Sequence, residues 1–93
     1  MKSVVITGAS GGLGSYIAKD FAEAGYHVIA ICRSKPKVDG IEHIPTDLRL
    51  ETKLRFGDTP VINCSALTTD GQSPAIYNDN IAMTRNALTL NDG

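Results

Sequence analysis

The chain has no strong charge of either sign, no long apolar run and few cysteines, and each of these absences excludes a class of protein. Nine basic and ten acidic residues leave a formal net charge of −1, so the sequence predicts no basic surface for nucleic acid. No apolar stretch is long enough to span a membrane. The apolar run at residues 4–6 stops at Thr7 and is too short for a signal-peptide core, so we expect a cytoplasmic protein.

Only two cysteines are present, and neither has a histidine or a second cysteine at the spacing of metal ligands. Cys32 and Cys64 each follow an apolar run, which places each near the end of a predicted buried strand. If these strands flank a third one, they lie about 10 Å apart, which is beyond the reach of a disulfide. We therefore expect two core thiols, and we expect His27 and His43 to be strand-edge residues rather than catalytic bases.

The length of 93 residues, with 42% hydrophobic and 20% charged residues, predicts one globular domain over residues 1–93. Its apolar runs are continuous rather than alternating, which is typical of parallel strands that are buried on both faces. The predicted strands are residues 3–7, 27–32, 41–45 and 61–64. Helices are predicted over residues 13–24 and about 75–90, with a short helix or a turn within residues 47–56.

This alternation of strands and helices predicts an α/β fold with a Rossmann-like, doubly wound parallel sheet, truncated to about four strands. Right-handed crossovers place the first strand in the middle, with the second and third strands on one side and the fourth on the other. Pro45 has no N–H to donate, so we expect it at a strand end or on an edge strand. Sheets of this kind bind ligands at the carboxyl ends of the strands, where the strand order reverses.

A glycine-rich run over residues 7–14 lies between the first predicted strand and the first predicted helix. That helix carries apolar residues at Leu13, Ile17 and Phe21, four positions apart, which predict one buried stripe. A helix N-terminus presents unpaired N–H groups and partial positive charge, and glycines let a ligand approach the backbone closely. The run lacks the Lys-Ser/Thr pair of a P-loop, so we interpret it as a cradle for the diphosphate of another nucleotide.

The last predicted helix is amphipathic, with apolar residues spread over about half of its circumference. Asn86 falls on the polar half. Asn80 and Thr84 fall in the middle of the apolar half, where a buried polar side chain needs hydrogen-bond partners. Either they bond to nearby backbone, or Asn80 organises the ligand site.

Thr7-Gly-x-x-x-Gly-x-Gly resembles the cofactor signature of the short-chain dehydrogenase/reductase family. Asp47-Leu48 resembles that family's aspartate after the third strand, which contacts the adenine ring. Residues 63–66, Asn-Cys-Ser-Ala, resemble its Asn-Asn-Ala-Gly segment with departures at the last three positions. Residues 80–88 are similar to the family's helix-four pattern, Asn-Val-x-Gly-Thr-x-Asn-Leu-Leu, especially in its extended branch. The resemblance therefore runs along the chain in the family's order.

The choice of cofactor depends on the end of the second predicted strand, where NAD enzymes usually place an acidic residue for the ribose 2′-hydroxyl. This chain has Cys32 there, followed by Arg33 and Ser34. An arginine can pair with a 2′-phosphate and stack on adenine, so we predict NADP rather than NAD. The alternative is that Arg33 belongs to an ordinary solvated loop. The predicted cofactor contacts are Gly8, Ser10, Gly11, Gly12, Leu13, Gly14, Arg33, Ser34, Asp47, Leu48, Cys64, Ser65 and Ala66.

The family's catalytic tyrosine, with a lysine four residues later, has no counterpart among these 93 residues, because none of the three tyrosines has lysine at that spacing. The resemblance thus implies an NADP(H)-binding half of a reductase-like fold, and no catalytic residue is assigned. The alternatives are a non-catalytic module that senses a nucleotide or controls assembly, and a remnant that binds no cofactor tightly. The open edge of the fourth strand and the half-apolar last helix also predict a homo-oligomer.

Overall fold

The computed structural model describes residues 2–64 and 74–91, which form four strands and two helices. The strands are β1 (Ser3–Thr7), β2 (His27–Cys32), β3 (Glu42–Pro45) and β4 (Val61–Asn63). The helices are α1 (Gly12–Glu23), between β1 and β2, and α2 (Pro74–Thr89), after β4. Within residues 47–56 the turn was the right alternative, since residues 48–50 form a bend and no helix follows before β4.

The four strands form one parallel sheet in the order β3-β2-β1-β4, which is the predicted Rossmann-like arrangement. Val5 in the middle of the sheet pairs with Ile29 on one side and with Val61 on the other. β2 and β3 are added on one side of β1, whereas β4 is added on the other side. The carboxyl ends of β1 and β4 therefore form the switch point of the sheet. Pro45 is the last residue of the edge strand β3, where its missing N–H costs no hydrogen bond within the sheet.

Successive residues of β1 serve two separate cores, which is why its apolar run is continuous. Val4 and Ile6 pack on the face that α1 covers, in a cluster that includes Ala18 of the helix. Val5 points to the opposite face and packs in a cluster with Leu48 and with residues of α2. A fully buried valine or isoleucine contributes about 1.5–3 kcal/mol of transfer free energy, so this strand is a main source of stability.

The buried stripe of α1 differs from the predicted one at its N-terminal end. Leu13 is 70% exposed, whereas Gly14 and Ala18 are the buried residues of the helix. Ile17 and Phe21 pack at the border of the core, as expected. Gly14 lies against the backbone of Gly8 and Ala9, and Ala18 packs in the core cluster, so the buried line of α1 passes through these two small residues rather than through Leu13.

The buried face of α2 is also displaced from the predicted one. Met83, Asn86 and Ala87 are buried, although helical periodicity predicts Asn86 on the polar half. Thr84 and Leu88, which the same periodicity predicts on the apolar half, are exposed. Among the residues of α2 whose burial is described (78 and 80–89), the buried side chains are therefore two apolar residues and one amide. Neither helix of the described chain is both long and apolar enough to cross a membrane.

Candidate dinucleotide site

The glycine turn connects the end of β1 to the start of α1 and is shaped by backbone contacts. Gly8 has φ of 67°, a left-handed conformation that residues with a Cβ rarely adopt. Its N–H donates to the Ile31 carbonyl at 3.2 Å, and its own carbonyl accepts from the Gly11 N–H at 3.1 Å. Gly11 caps α1 in an extended conformation, and no side chain caps the helix. The first N–H groups of α1 are therefore left for a ligand or water.

Two glycines of this turn are required for different reasons. A Cβ on Gly14 would lie 2.8 Å from the carbonyl carbon of Gly8 and would also collide with the attached oxygen, so the turn and the helix can pack only with glycine there. A Cβ on Gly12 would meet nothing within 4 Å. The described fold does not itself need a glycine at position 12. The space above it is open at the end of the helix where an anion is favoured.

Next to the turn lies a cleft of about 160 Å³ at the carboxyl ends of all four strands. The predicted contacts that line it are Gly8, Ser10, Gly11, Arg33, Asp47, Leu48 and Cys64. Four other predicted contacts, Gly12, Leu13, Gly14 and Ser34, lie close by in sequence but do not line it. Ser65 and Ala66 lie outside the described residues. The topology thus brings together segments that are distant in sequence, and their roles as cofactor contacts stay predictions.

Four further residues line the cleft: Ile31, Cys32, Thr46 and Met83. Ile31, Cys32 and Thr46 lie next to predicted contacts at the ends of β2 and β3. A prediction that covered the last residues of each strand as well as the residues after it would have included them. Met83 comes from α2, in which Asn80 is the residue that the sequence pattern connects to the site. Its place beside the cleft depends on how the helix packs across the sheet, and the sequence pattern carried no signal for it.

The hydroxyl of Thr7 joins the two strands at the switch point. Thr7 is fully buried, and its Oγ1 donates to Oδ1 of Asn63 at 2.6 Å. The same oxygen accepts a hydrogen bond from the backbone N–H of Cys64 at 3.1 Å. A valine of similar shape could make neither bond, so a threonine at the end of this apolar strand sets the position of Asn63 and Cys64 beside the cleft.

The carboxylate of Asp47 is oriented by a neighbouring arginine. Nη2 of Arg49 lies 2.7 Å from Oδ2 of Asp47, and Oδ1 accepts from both the Nε and the backbone N–H of Arg49. These bonds lower the pKa of Asp47 from 3.8 to about 2, and the nearby charge of Arg33 acts in the same direction. The carboxylate is therefore fully ionised at neutral pH. An ionised carboxylate accepts at up to about four positions, and three N–H groups of Arg49 already use them, with Nε shared between Oδ1 and Oδ2 at 3.0 and 3.2 Å. A ligand N–H therefore takes the position that the shared Nε–H only partly fills.

Cys32 and the two histidines near the sheet have hydrogen-bonding partners, and Cys64 is a partly buried free thiol. Burial raises the pKa of both Cys32 and Cys64, so both are neutral thiols, and Cys32 donates to the Ser34 carbonyl at 3.1 Å. Nε2 of His43 donates to the Cys32 carbonyl at 2.9 Å, and His27 lies 3.2 Å from a carboxylate oxygen of Glu42. Among the described residues, no group of three or more histidine, cysteine or acidic side chains could hold a metal ion.

The chain is similar in fold to three solved dehydrogenases. The short chain dehydrogenase of Leptospira borgpetersenii serovar Hardjo-bovis, solved with bound NAD+, has 20% identity and a TM-score of 0.71, over 96% of this chain and 42% of that one. The bulky-bulky ketone specific alcohol dehydrogenase of Comamonas testosteroni has 25% identity and a TM-score of 0.71, over 97% and 48%. The aldohexose dehydrogenase of Thermoplasma acidophilum has 19% identity and a TM-score of 0.67, over 96% and 44%.

These comparisons agree with the motifs and with the sheet. The chain spans less than half the length of each of these three proteins. The family model described as short chain dehydrogenase matches residues 2–57, which is more than half of the chain and includes the glycine turn, β2, β3 and Asp47. The chain belongs to the short-chain dehydrogenase family.

Proposed function

We propose that this chain is the NADP-binding part of a short-chain reductase. The observation that carries the choice of cofactor lies at the end of β2, where Cys32 replaces an acidic residue and Arg33 follows at the edge of the cleft. Arg33 is exposed, so its guanidinium is free to turn toward a ligand. Asp47 is the one carboxylate that lines the described cleft, and Arg49 engages it, so a 2′-phosphate meets little repulsion there.

The described residues fit the rest of a dinucleotide. The uncapped start of α1 and the open space over Gly12 suit the diphosphate. Asp47 suits the exocyclic amine of adenine, because an ionised carboxylate accepts hydrogen bonds and the adenine amine donates them. When bound, NADPH supplies a hydride for a carbonyl substrate. In this proposal the residues described above bind and orient the adenosine half, and groups elsewhere carry out the chemistry.

The experiment compares NADPH and NADH binding to the full chain and to Arg33→Ala, by calorimetry or by the fluorescence of the reduced nicotinamide. Hydrogen bonds to a charged group contribute about 1.5–3 kcal/mol, so we expect Arg33→Ala to weaken NADPH binding roughly tenfold to a hundredfold. NADH binding should change much less, because NADH has no 2′-phosphate.

Lys35→Ala is the matched control, because it removes the same charge from the same exposed loop at a residue that does not line the cleft. If Lys35→Ala weakens NADPH binding as much as Arg33→Ala does, the loss of affinity comes from the general charge of the loop. That result would contradict a specific contact between Arg33 and the 2′-phosphate. A folded wild-type chain that binds neither dinucleotide would contradict the proposed function and favour a remnant without a cofactor.

A further inference from the structure

The connection between β3 and β4, residues 46–60, is held in place by two asparagines from the end of α2 and just beyond it. This connection has no helix or strand of its own, so its carbonyl groups need partners from elsewhere. Nδ2 of Asn86 donates to the carbonyls of Leu48 and Leu50, both at 2.8 Å. Nδ2 of Asn91 donates to the carbonyls of Gly57 and Thr59, at 2.9 and 2.7 Å. One amide thus holds each end of the connection.

The Asn86 amide acts on the turn that carries Asp47. Its two acceptors, the carbonyls of Leu48 and Leu50, lie on either side of Arg49, the residue that orients the Asp47 carboxylate. Inside the turn, the Leu50 N–H donates to the Asp47 carbonyl at 3.1 Å. The backbone on both sides of Arg49 is therefore fixed by hydrogen bonds. Two of them come from Asn86 of α2, and one lies within the turn itself.

Burial makes this arrangement rigid. Asn86 is only 8% exposed and Leu48 only 4%, and Leu48 packs in one cluster with Met83 and Ala87 of the same helix. In such surroundings a hydrogen bond competes little with water, and an unsatisfied carbonyl is costly. The turn cannot shift at Leu48 without breaking the hydrogen bond from the Asn86 side-chain amide or opening the core beneath it.

We propose that Asn86 is a positioning residue for recognition of the adenine base. This inference rests on the proposed function, because it assumes that Asp47 meets the adenine amine in the cleft. Asn86 does not line the cleft. It holds the turn at residues 47–50, and thereby the Asp47 carboxylate, at a fixed place on the cleft wall. The preference for an adenine base over a base without the exocyclic amine therefore depends on Asn86.

The test measures base preference rather than affinity alone. The dissociation constant of the full chain is measured for NADPH and for its hypoxanthine analogue, in which a carbonyl oxygen replaces the amine. A hydrogen bond from the amine to an ionised carboxylate favours adenine by roughly tenfold. We therefore expect the dissociation constant of the hypoxanthine analogue to be roughly ten times that of NADPH in the wild type. In Asn86→Ala we expect the ratio of these two constants to fall close to one. A variant that weakened binding only by loosening the fold would weaken both ligands equally and leave the ratio unchanged.

Asn91→Ala is the matched control, because it removes the same two-carbonyl contact from the same connection at residues that do not line the cleft. Its ratio should equal that of the wild type. Asn86→Leu is the second variant, since leucine has nearly the shape of asparagine but no N–H to donate, and it keeps the buried site filled. Its ratio should also fall close to one.

A measurement on the wild type is independent of any variant's folding. Binding of AMP, followed by nuclear magnetic resonance, should slow hydrogen exchange of the Asn86 side-chain amide and leave that of Asn91 unchanged. An unchanged Asn86 amide, or Asn86 variants that keep the wild-type base preference, would overturn the inference while the proposed function stands. Failure of the wild type to bind either dinucleotide would instead overturn the proposed function.

Discussion

At the scale of single residues, the ion pair of Asp47 and Arg49 shows how a neighbour adjusts a site group. Arg49 forms hydrogen bonds with both carboxylate oxygens and is the main cause of the low pKa of Asp47. A folded-state pKa below the unfolded value means that the interaction adds stability above the unfolded pKa. That stability is lost as the pH falls from 3.8 toward about 2. The pair is partly exposed, so solvent screening keeps the contribution small.

Replacement of Arg49 by methionine should raise the pKa of Asp47 back toward 3.8, because its principal hydrogen-bond donor is lost. The pH-dependent part of the difference in free energy of unfolding between wild type and Arg49→Met should be nearly constant above about pH 5, should decrease as the pH falls through 3.8, and should be lost below about pH 2. The measurement is a carboxyl titration by nuclear magnetic resonance, with urea unfolding at several pH values.

Arg55→Met is the control for that prediction, since Arg55 lies in the same connection and donates to the backbone carbonyls of Thr52 and Leu54. It removes the same charge, but its hydrogen bonds go to backbone carbonyls rather than to the Asp47 carboxylate. An Asp47 pKa that rises as much in Arg55→Met as in Arg49→Met would show that general charge, rather than the hydrogen bonds, sets it.

At the scale of elements, buried residues in the second half of α2 and just beyond it pack with residues of the sheet. Met83 and Ala87 lie on the buried line, and Leu90 follows just past the helix with no exposed surface. The carbonyl of Leu90 also accepts a hydrogen bond from the N–H of Phe56 at 2.6 Å. The helix end and the connection between β3 and β4 therefore support each other.

Leu90→Ala should lower the free energy of unfolding by about 2–5 kcal/mol, because it leaves a cavity where α2 meets the sheet. Leu50→Ala is the matched substitution at a leucine that is 65% exposed, and it should change stability by less than about 0.5 kcal/mol. Urea unfolding of the two variants provides the measurement. Equal losses in both variants would contradict the docking of the helix end.

At the scale of the whole molecule, two features of the described residues favour association: a backbone edge and an apolar helix face. β4 has three residues and, in the described part of the chain, pairs only with β1, so its outer edge is unpaired. On the outer side of α2, Ile81 and Leu88 are 40% and 71% exposed and share one face with Arg85. An unpaired parallel edge and an apolar helix face both favour association.

We predict that the chain forms a dimer or a larger homo-oligomer at tens of micromolar, as its sequence indicated. Light scattering measures the mass with and without NADPH. Leu88→Glu should reduce the mass if α2 forms the interface, because it buries a charge against an apolar surface. Leu50→Glu, at an exposed leucine of the β3–β4 connection, is the control and should leave the mass unchanged. A wild-type monomer at that concentration would contradict the prediction.

The linear sequence determined the strands, the sheet order and the glycine turn. These depend on local signals: continuous β-branched runs, glycines at fixed spacing, and the handedness of the crossovers. It also indicated that Arg33 and Asp47 lie at strand ends. Such features need no knowledge of side-chain packing, which is why they could be derived before the fold was known.

Tertiary structure alone decided the face that each helix buries and the partners of its polar groups. The buried residues of α1 are Gly14, which packs against the backbone of the glycine turn, and Ala18 in the core cluster, whereas Leu13 is exposed. Asn86 was buried because an irregular connection elsewhere in the chain had carbonyls without partners. Helical periodicity records hydrophobicity along one element, and it contains no information about the hydrogen-bond needs of another.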